Sequence, residues 1–116
     1  MGKPLLVKVP GLPEIYVDLG DIKEEDMNLL KNVNIKGLKF ARKRKQFRIK
    51  LDGLTSDEIA QLQKHISDRT VWNNCFSASK CNIYIRSLEP STMLTNGNQQ
   101  IAVSTIIIYE SVEEFI

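Results

Sequence analysis

The chain is poor in nearly every residue that marks a catalytic or metal centre. It holds one histidine, His65, and two cysteines, Cys75 and Cys81. A zinc site takes three or four ligands, and these three soft donors make a thin set. Two cysteines are too few for a disulfide framework, so Cys75 and Cys81 are expected as free thiols in a reducing compartment. A nucleophile–base pair would need a cysteine beside His65, and no spacing asks for that. Helical periodicity puts His65 off the apolar face of its helix, where a surface histidine sits. The GxGxxG, Walker, HExxH and GxSxG patterns are all missing. The expectation is a non-enzymatic protein with no catalytic residue, cofactor or metal.

Long apolar runs are missing too. No stretch nears the ~18 residues that a membrane span requires. The opening MGKPLLVKVPGLPEIYV has no apolar core before a small-residue cleavage site, and Leu6 stands where myristoylation needs Ser or Thr. No membrane contact is expected.

What is present suits one folded domain spanning residues 1–116. The chain is 42% hydrophobic and 26% charged, too apolar for disorder. Residues 5–9 form a short apolar run closed by Pro10-Gly11. In residues 14–19, Ile15, Val17 and Leu19 alternate against Tyr16 and Asp18, which is strand periodicity. Residues 22–33 read as a short helix capped by Asp21, or as an ordered loop, because Asn28, Asn32 and Asn34 weaken a helix.

The clearest strand is 46–51, where Phe47, Ile49 and Leu51 alternate with Gln46, Arg48 and Lys50. Ile35, Leu38 and Phe40 suggest its hairpin partner, with 42–45 as the turn. A helix over 55–67 follows. Thr55 and Glu58 form a capping box, Leu54 and Ile59 a hydrophobic staple, and Ile59, Leu62 and Ile66 share one face. Cys81, Ile83 and Ile85 then mark a strand over 80–86. Polar residues 87–99 read equally as an arm or as a minor hairpin around Asn96-Gly97. The last strand, 101–109, is β-branched on both faces and belongs inside a sheet or an assembly. The fold class is α+β: an antiparallel β-sandwich or partly closed barrel flanked by one helix.

Charge is unevenly placed although its net value is only +2. Lys36, Lys39, Arg42, Lys43, Arg44, Lys45, Arg48 and Lys50 are eight of the sixteen basic residues, within fifteen positions that contain no acid. The plain reading is a solvated hairpin whose charges discourage aggregation. The functional readings are a docking face for an acidic partner and, behind it, a nucleic-acid-binding patch. Acids cluster elsewhere, at Asp18, Asp21, Glu24, Glu25 and Asp26, and at Glu110, Glu113 and Glu114. One basic and one acidic surface would suit head-to-tail contact between copies.

The stretch RKRKQFRIKLDGLTSDEIAQLQKHI (42–66) resembles small tail structural proteins of tailed bacteriophages. There a charged turn leads into an alternating strand, a GLTxEE junction and an amphipathic helix. YVDLG (16–20) is similar to the short N-terminal strand of that group. The order of elements matches over 14–110, the residues over 42–66. The acidic 21–26 segment and the polar 87–99 stretch depart from the pattern. The resemblance implies a tail-tube or baseplate subunit, made in the host cytoplasm and located in the virion tail. It also implies a homo-oligomeric ring, for instance a hexamer, contacting other tail or baseplate proteins, with no active site. Arg42, Lys43, Arg44, Lys45, Arg48 and Lys50 would form one interface, and residues 87–99 and 112–116 others. Charge reversal over 42–45 is then expected to impair assembly and leave stability nearly unchanged. The alternatives are a nucleic-acid-binding module using the same basic residues, or a small phage protein that inhibits a host enzyme.

Overall fold

The computed structural model describes residues 5–35, 38–112 and 114–115, with the backbone alone at 27–35, 38–43 and 114–115. In chain order the strands are β1 (Leu6–Val9), β2 (Leu12–Asp18), β3 (Lys23–Ile35) and β4 (Leu38–Asp52). Helix α1 (Ser56–Asp68) follows. Then come β5 (Trp72–Asn73), β6 (Asn82–Pro90), β7 (Met93–Asn96), β8 (Gln99–Ala102), β9 (Ser104–Ser111) and β10 (Glu114–Phe115). The fold is α+β, and every strand pairing is antiparallel. β4 has β3 on one side and, on the other, β9 and β10 in succession; β6 and then β5 follow β9. The sheet stays open rather than closing into a barrel, and its packing against α1 and the β1–β2 hairpin is sandwich-like.

Alternation decides which face is covered. Phe47, Ile49 and Leu51 of β4 stand opposite Tyr109, Ile107 and Thr105 of β9, and all six are buried. Ile83 and Ile85 join them from β6, and Leu54, Ile59 and Leu62 from the helix. The β1–β2 turn is wedged under that helix. Gly11 has φ 98°, and a Cβ there would lie 3.1 Å from Leu62 and 3.2 Å from the His65 ring, so only glycine fits. Tyr109 Oη donates to the Pro10 carbonyl at 2.6 Å, and burial pushes its phenol well above the ordinary value. Phe76 packs against both Phe47 and Tyr109, with ring centroids 5.2 and 5.3 Å away.

The helix forms as its sequence predicts. Glu58 N donates to Thr55 Oγ1 at 3.2 Å, and Thr55 N donates to Glu58 Oε1 at 3.0 Å. Leu54 and Ile59 are both buried, as a staple requires. The polar 87–99 stretch resolves into the end of β6 and the β7–β8 hairpin, turning at Asn96 with Gly97 at φ 64°. The final apolar strand is central, as expected, but breaks at Val103. There Ala102 N donates to Leu54 O at 2.8 Å and Val103 N to Thr92 O at 3.1 Å.

Two expectations fail on the same feature. Residues 22–33 form neither the helix nor the loop expected: Ile22 follows the 3-10 turn, and 23–33 lie in β3, a 13-residue strand. Asp18, not Asp21, caps the single 3-10 turn Leu19–Asp21, accepting from Gly20 N at 2.9 Å. Nor do residues 42–45 turn: β4 runs unbroken for 15 residues, and its hairpin with β3 closes at the Ile35–Leu38 pair. The acidic start of β3 lies beside the basic β4, and that long-range pairing outweighs a weak local helix preference. Residues 42–45 are Arg-Lys-Arg-Lys and contain no residue with turn chemistry.

Candidate interaction site

The six basic residues singled out above all lie on β4, and the strand's alternation divides them. Gln46, Arg48 and Lys50 stand opposite Glu110, Ile108 and Ile106, on the sheet face that the helix does not cover. Arg48 and Lys50 are exposed there, and the flanking Ile106 and Ile108 are only half-buried. Arg44 belongs to the same face, donating from Nη1 to Glu110 Oε2 at 3.3 Å. Lys45 turns the other way and pairs with Glu24 Oε1 at 3.0 Å; that hydrogen bond, reinforced by the Glu24 charge, raises its pKa. Arg42 and Lys43 pair through their backbones with Leu29 and Asn28 of β3 and with Phe115 and Glu114 of β10. Their side chains, like all of Lys36 and Glu113, lie outside the described residues.

Glu110 is the centre of this face. Its side chain is 3% exposed, and a carboxylate so buried needs several partners. Tyr84 Oη donates to it at 2.5 Å, Gln46 Nε2 at 3.2 Å, and Arg86 Nε lies 3.7 Å away. Burial and the Glu110 contact together push the Tyr84 phenol up. Nothing in the sequence distinguishes Glu110 from Glu113 or Glu114. Only the β4–β9–β6 register puts it between two arginines and a tyrosine.

This geometry corrects the expected charge map. The basic and acidic segments do not form two separate surfaces. Glu24, Glu25 and Asp26 of β3 sit directly opposite Phe47, Gln46 and Lys45 of β4. Arg44 and Lys45 are used within the chain, so a charge reversal over 42–45 would cost stability and could not report on assembly alone.

The ribbon of β3 and β4 was not foreseen. β4 meets β9 over Gln46–Asp52 and β10 at Arg42 and Lys43. From Ala41 to Leu38 its partner among the described residues is β3 alone, and β3 pairs with nothing but β4. The hairpin thus leaves the body as a two-stranded ribbon, and the molecule measures 62 × 38 × 20 Å. The outer edge of β3 runs for about 43 Å at ~3.3 Å per residue.

The residues that a thiol–imidazole pair would need face different partners. His65 Nδ1 is 3.0 Å from Thr70 Oγ1, and its ring meets Trp72 edge-on, so it is more than a surface histidine. Cys75 and Cys81 are free thiols. Cys75 Sγ points at the Lys8 carbonyl at 3.7 Å, and burial pushes that thiol up, away from the reactive thiolate. Among the described residues no group of three or more His, Cys, Asp or Glu is placed to hold a metal ion, and no helix is long and apolar enough to cross a membrane.

Comparison with protein-family models, curated proteins and solved structures finds no match to this chain. The phage-tail resemblance therefore stands on residues 42–66 and 16–20 and on the order of elements, and the charged turn that opens it is a strand here.

Proposed function

We propose that this protein is a structural subunit that assembles with copies of itself and with neighbouring proteins, as the subunits of a phage tail or baseplate do. The observation that carries the reading is the β3–β4 ribbon. A two-stranded hairpin is marginally stable in water by itself, and a long free edge is a template for another chain. Laying the ribbon on a neighbour would resolve both problems at once. Exposed apolar side chains on the two smaller hairpins, Leu6 and Tyr16 on one and Leu94 on the other, supply further contact surface. Charge plays a smaller part than the sequence suggested, because Arg44 and Lys45 already have partners.

The test trims the ribbon. Replacing residues 30–41 by Asn-Gly leaves the Leu29–Arg42 pair to close on a two-residue turn. The full chain is expected to form a defined oligomer by native mass spectrometry and electron microscopy. The trimmed chain is expected to remain folded by circular dichroism and to fall to monomer. A full chain that stays monomeric at high concentration, or a trimmed chain that assembles as well as the full one, refutes the reading. Tight oligonucleotide binding that weakens steeply with salt would instead favour the nucleic-acid alternative, with Arg48 and Lys50 as its exposed cations.

A further inference from the structure

The end of α1 leaves a groove of about 500 Å³ beside β6. Arg69 adopts the left-handed conformation at φ 54°, and Thr70 N donates to His65 O at 3.0 Å, so the chain turns sharply off the helix. It then meets β6 through two pairs only, Trp72 with Ile83 and Asn73 with Asn82. Extending that register would set Thr70 opposite Ile85, but the strand has already left β6 for the helix. The groove fills the wedge where they part. Ile66, Val71, Ile85 and Val112 make its walls apolar, and His65 and Arg69 also line it.

The backbone of β6 gives this groove a direction. Val112 N donates to Asn82 O at 2.8 Å, so Asn82 and Tyr84 turn their main-chain groups toward β9. Cys81 and Ile83 turn theirs the other way. Cys81 O accepts from Asn74 N at 3.0 Å, and Ile83 pairs with Trp72. Ile85 follows the same parity, so its N–H and C=O face the groove. Among the described residues no strand or backbone hydrogen bond meets them there. The irregularity between Ile85 and Ser87 then ends the repeat.

We propose that this groove binds an extended peptide segment of a partner protein, added as a strand beside Ile85, with an apolar side chain seated against Ile66 and Val71 and a carboxylate next to it. An unpaired donor and acceptor on one strand edge select extended backbone rather than helix. Val71 is 49% exposed and Val112 39%, so the apolar walls stand open. The sign of the partner follows from the lining: Arg69 is there, no carboxylate is, and Arg86 lies exposed further along β6. Strand addition here does not need the β3–β4 ribbon, so it is separable from the assembly proposal.

The probe is a blocked, fluorescein-labelled hexapeptide of alternating glutamate and valine, with a lysine–valine hexapeptide as control. Anisotropy of the acidic probe is expected to rise on adding the full chain. Val71→Glu, an exposed substitution, should weaken that binding by about tenfold, and so should Arg69→Glu. The lysine probe should bind about tenfold more weakly than the acidic one. Amide exchange at Ile85 should slow in the complex. The proposal is overturned if the acidic probe does not bind, if the lysine probe binds equally well, or if a folded Val71→Glu or Arg69→Glu chain keeps full affinity. It is also overturned if the Ile85 amide is unaffected. Oligomeric state, recorded alongside, reports on the ribbon and not on the groove.

Discussion

Thr105 is fully buried on the helix-covered face of β9, and its Oγ1 has no hydrogen-bond partner among the described residues. A buried hydroxyl without a partner keeps its desolvation cost and gains nothing. Valine has the same shape without that oxygen. Thr105→Val is expected to stabilise the chain by about 1 kcal/mol, raising the thermal midpoint by about 4 °C. An unchanged or lower midpoint would mean that the hydroxyl is satisfied. Glu110 is the opposite case. Its carboxylate accepts from Tyr84, Gln46 and Arg44 in a site almost closed to water. Glu110→Ala strips all three donors of their acceptor and should cost on the order of 3 kcal/mol in denaturant unfolding. The exposed Lys45–Glu24 pair is worth far less, because both side chains are more than a third exposed and screened by water.

At the scale of elements, the helix and the ribbon contrast. Local chemistry starts and stops α1: the Thr55–Glu58 capping box at one end and the left-handed Arg69 at the other. Thr55→Ala removes the cap oxygen and should cost about 1 kcal/mol, read from the urea midpoint. β3 has no comparable local signal. Its acids, asparagines and scattered aliphatics suit a weak helix or a loop as well as a strand. Its three acidic residues lie in an edge strand because β4 offers cations and a free edge beside them. A periodicity reading sees one segment at a time and cannot weigh a partner that lies 19 residues away at the Asp26–Lys45 pair and closer toward the tip.

Over the whole molecule, one sheet face is closed and the other is open. The closed face was legible as alternation: Phe47, Ile49, Leu51, Ile83 and Ile85 were all picked out by a period of two, and all are buried. The open face was legible only in part. The last strand's apolar character on both sides pointed to a central position, which β9 occupies between β4 and β6. Its second apolar row, Ile106 and Ile108, is only half-buried and meets no second layer among the described residues.

The amino-acid sequence by itself determined the class of the fold, the position and N-cap of the helix and the core faces of the strands, and it left an arm and a hairpin at Asn96-Gly97 equally open. Each of these is written in neighbours a few residues apart, through period, cap chemistry and turn chemistry. Only the tertiary structure decided that the basic and acidic segments lie side by side, that Glu110 is buried between two arginines, and that Ile85 faces a groove with its backbone unpaired. Those outcomes depend on register between strands far apart in the chain. Register comes from the sum of many weak side-chain preferences, and no single residue in the sequence announces it.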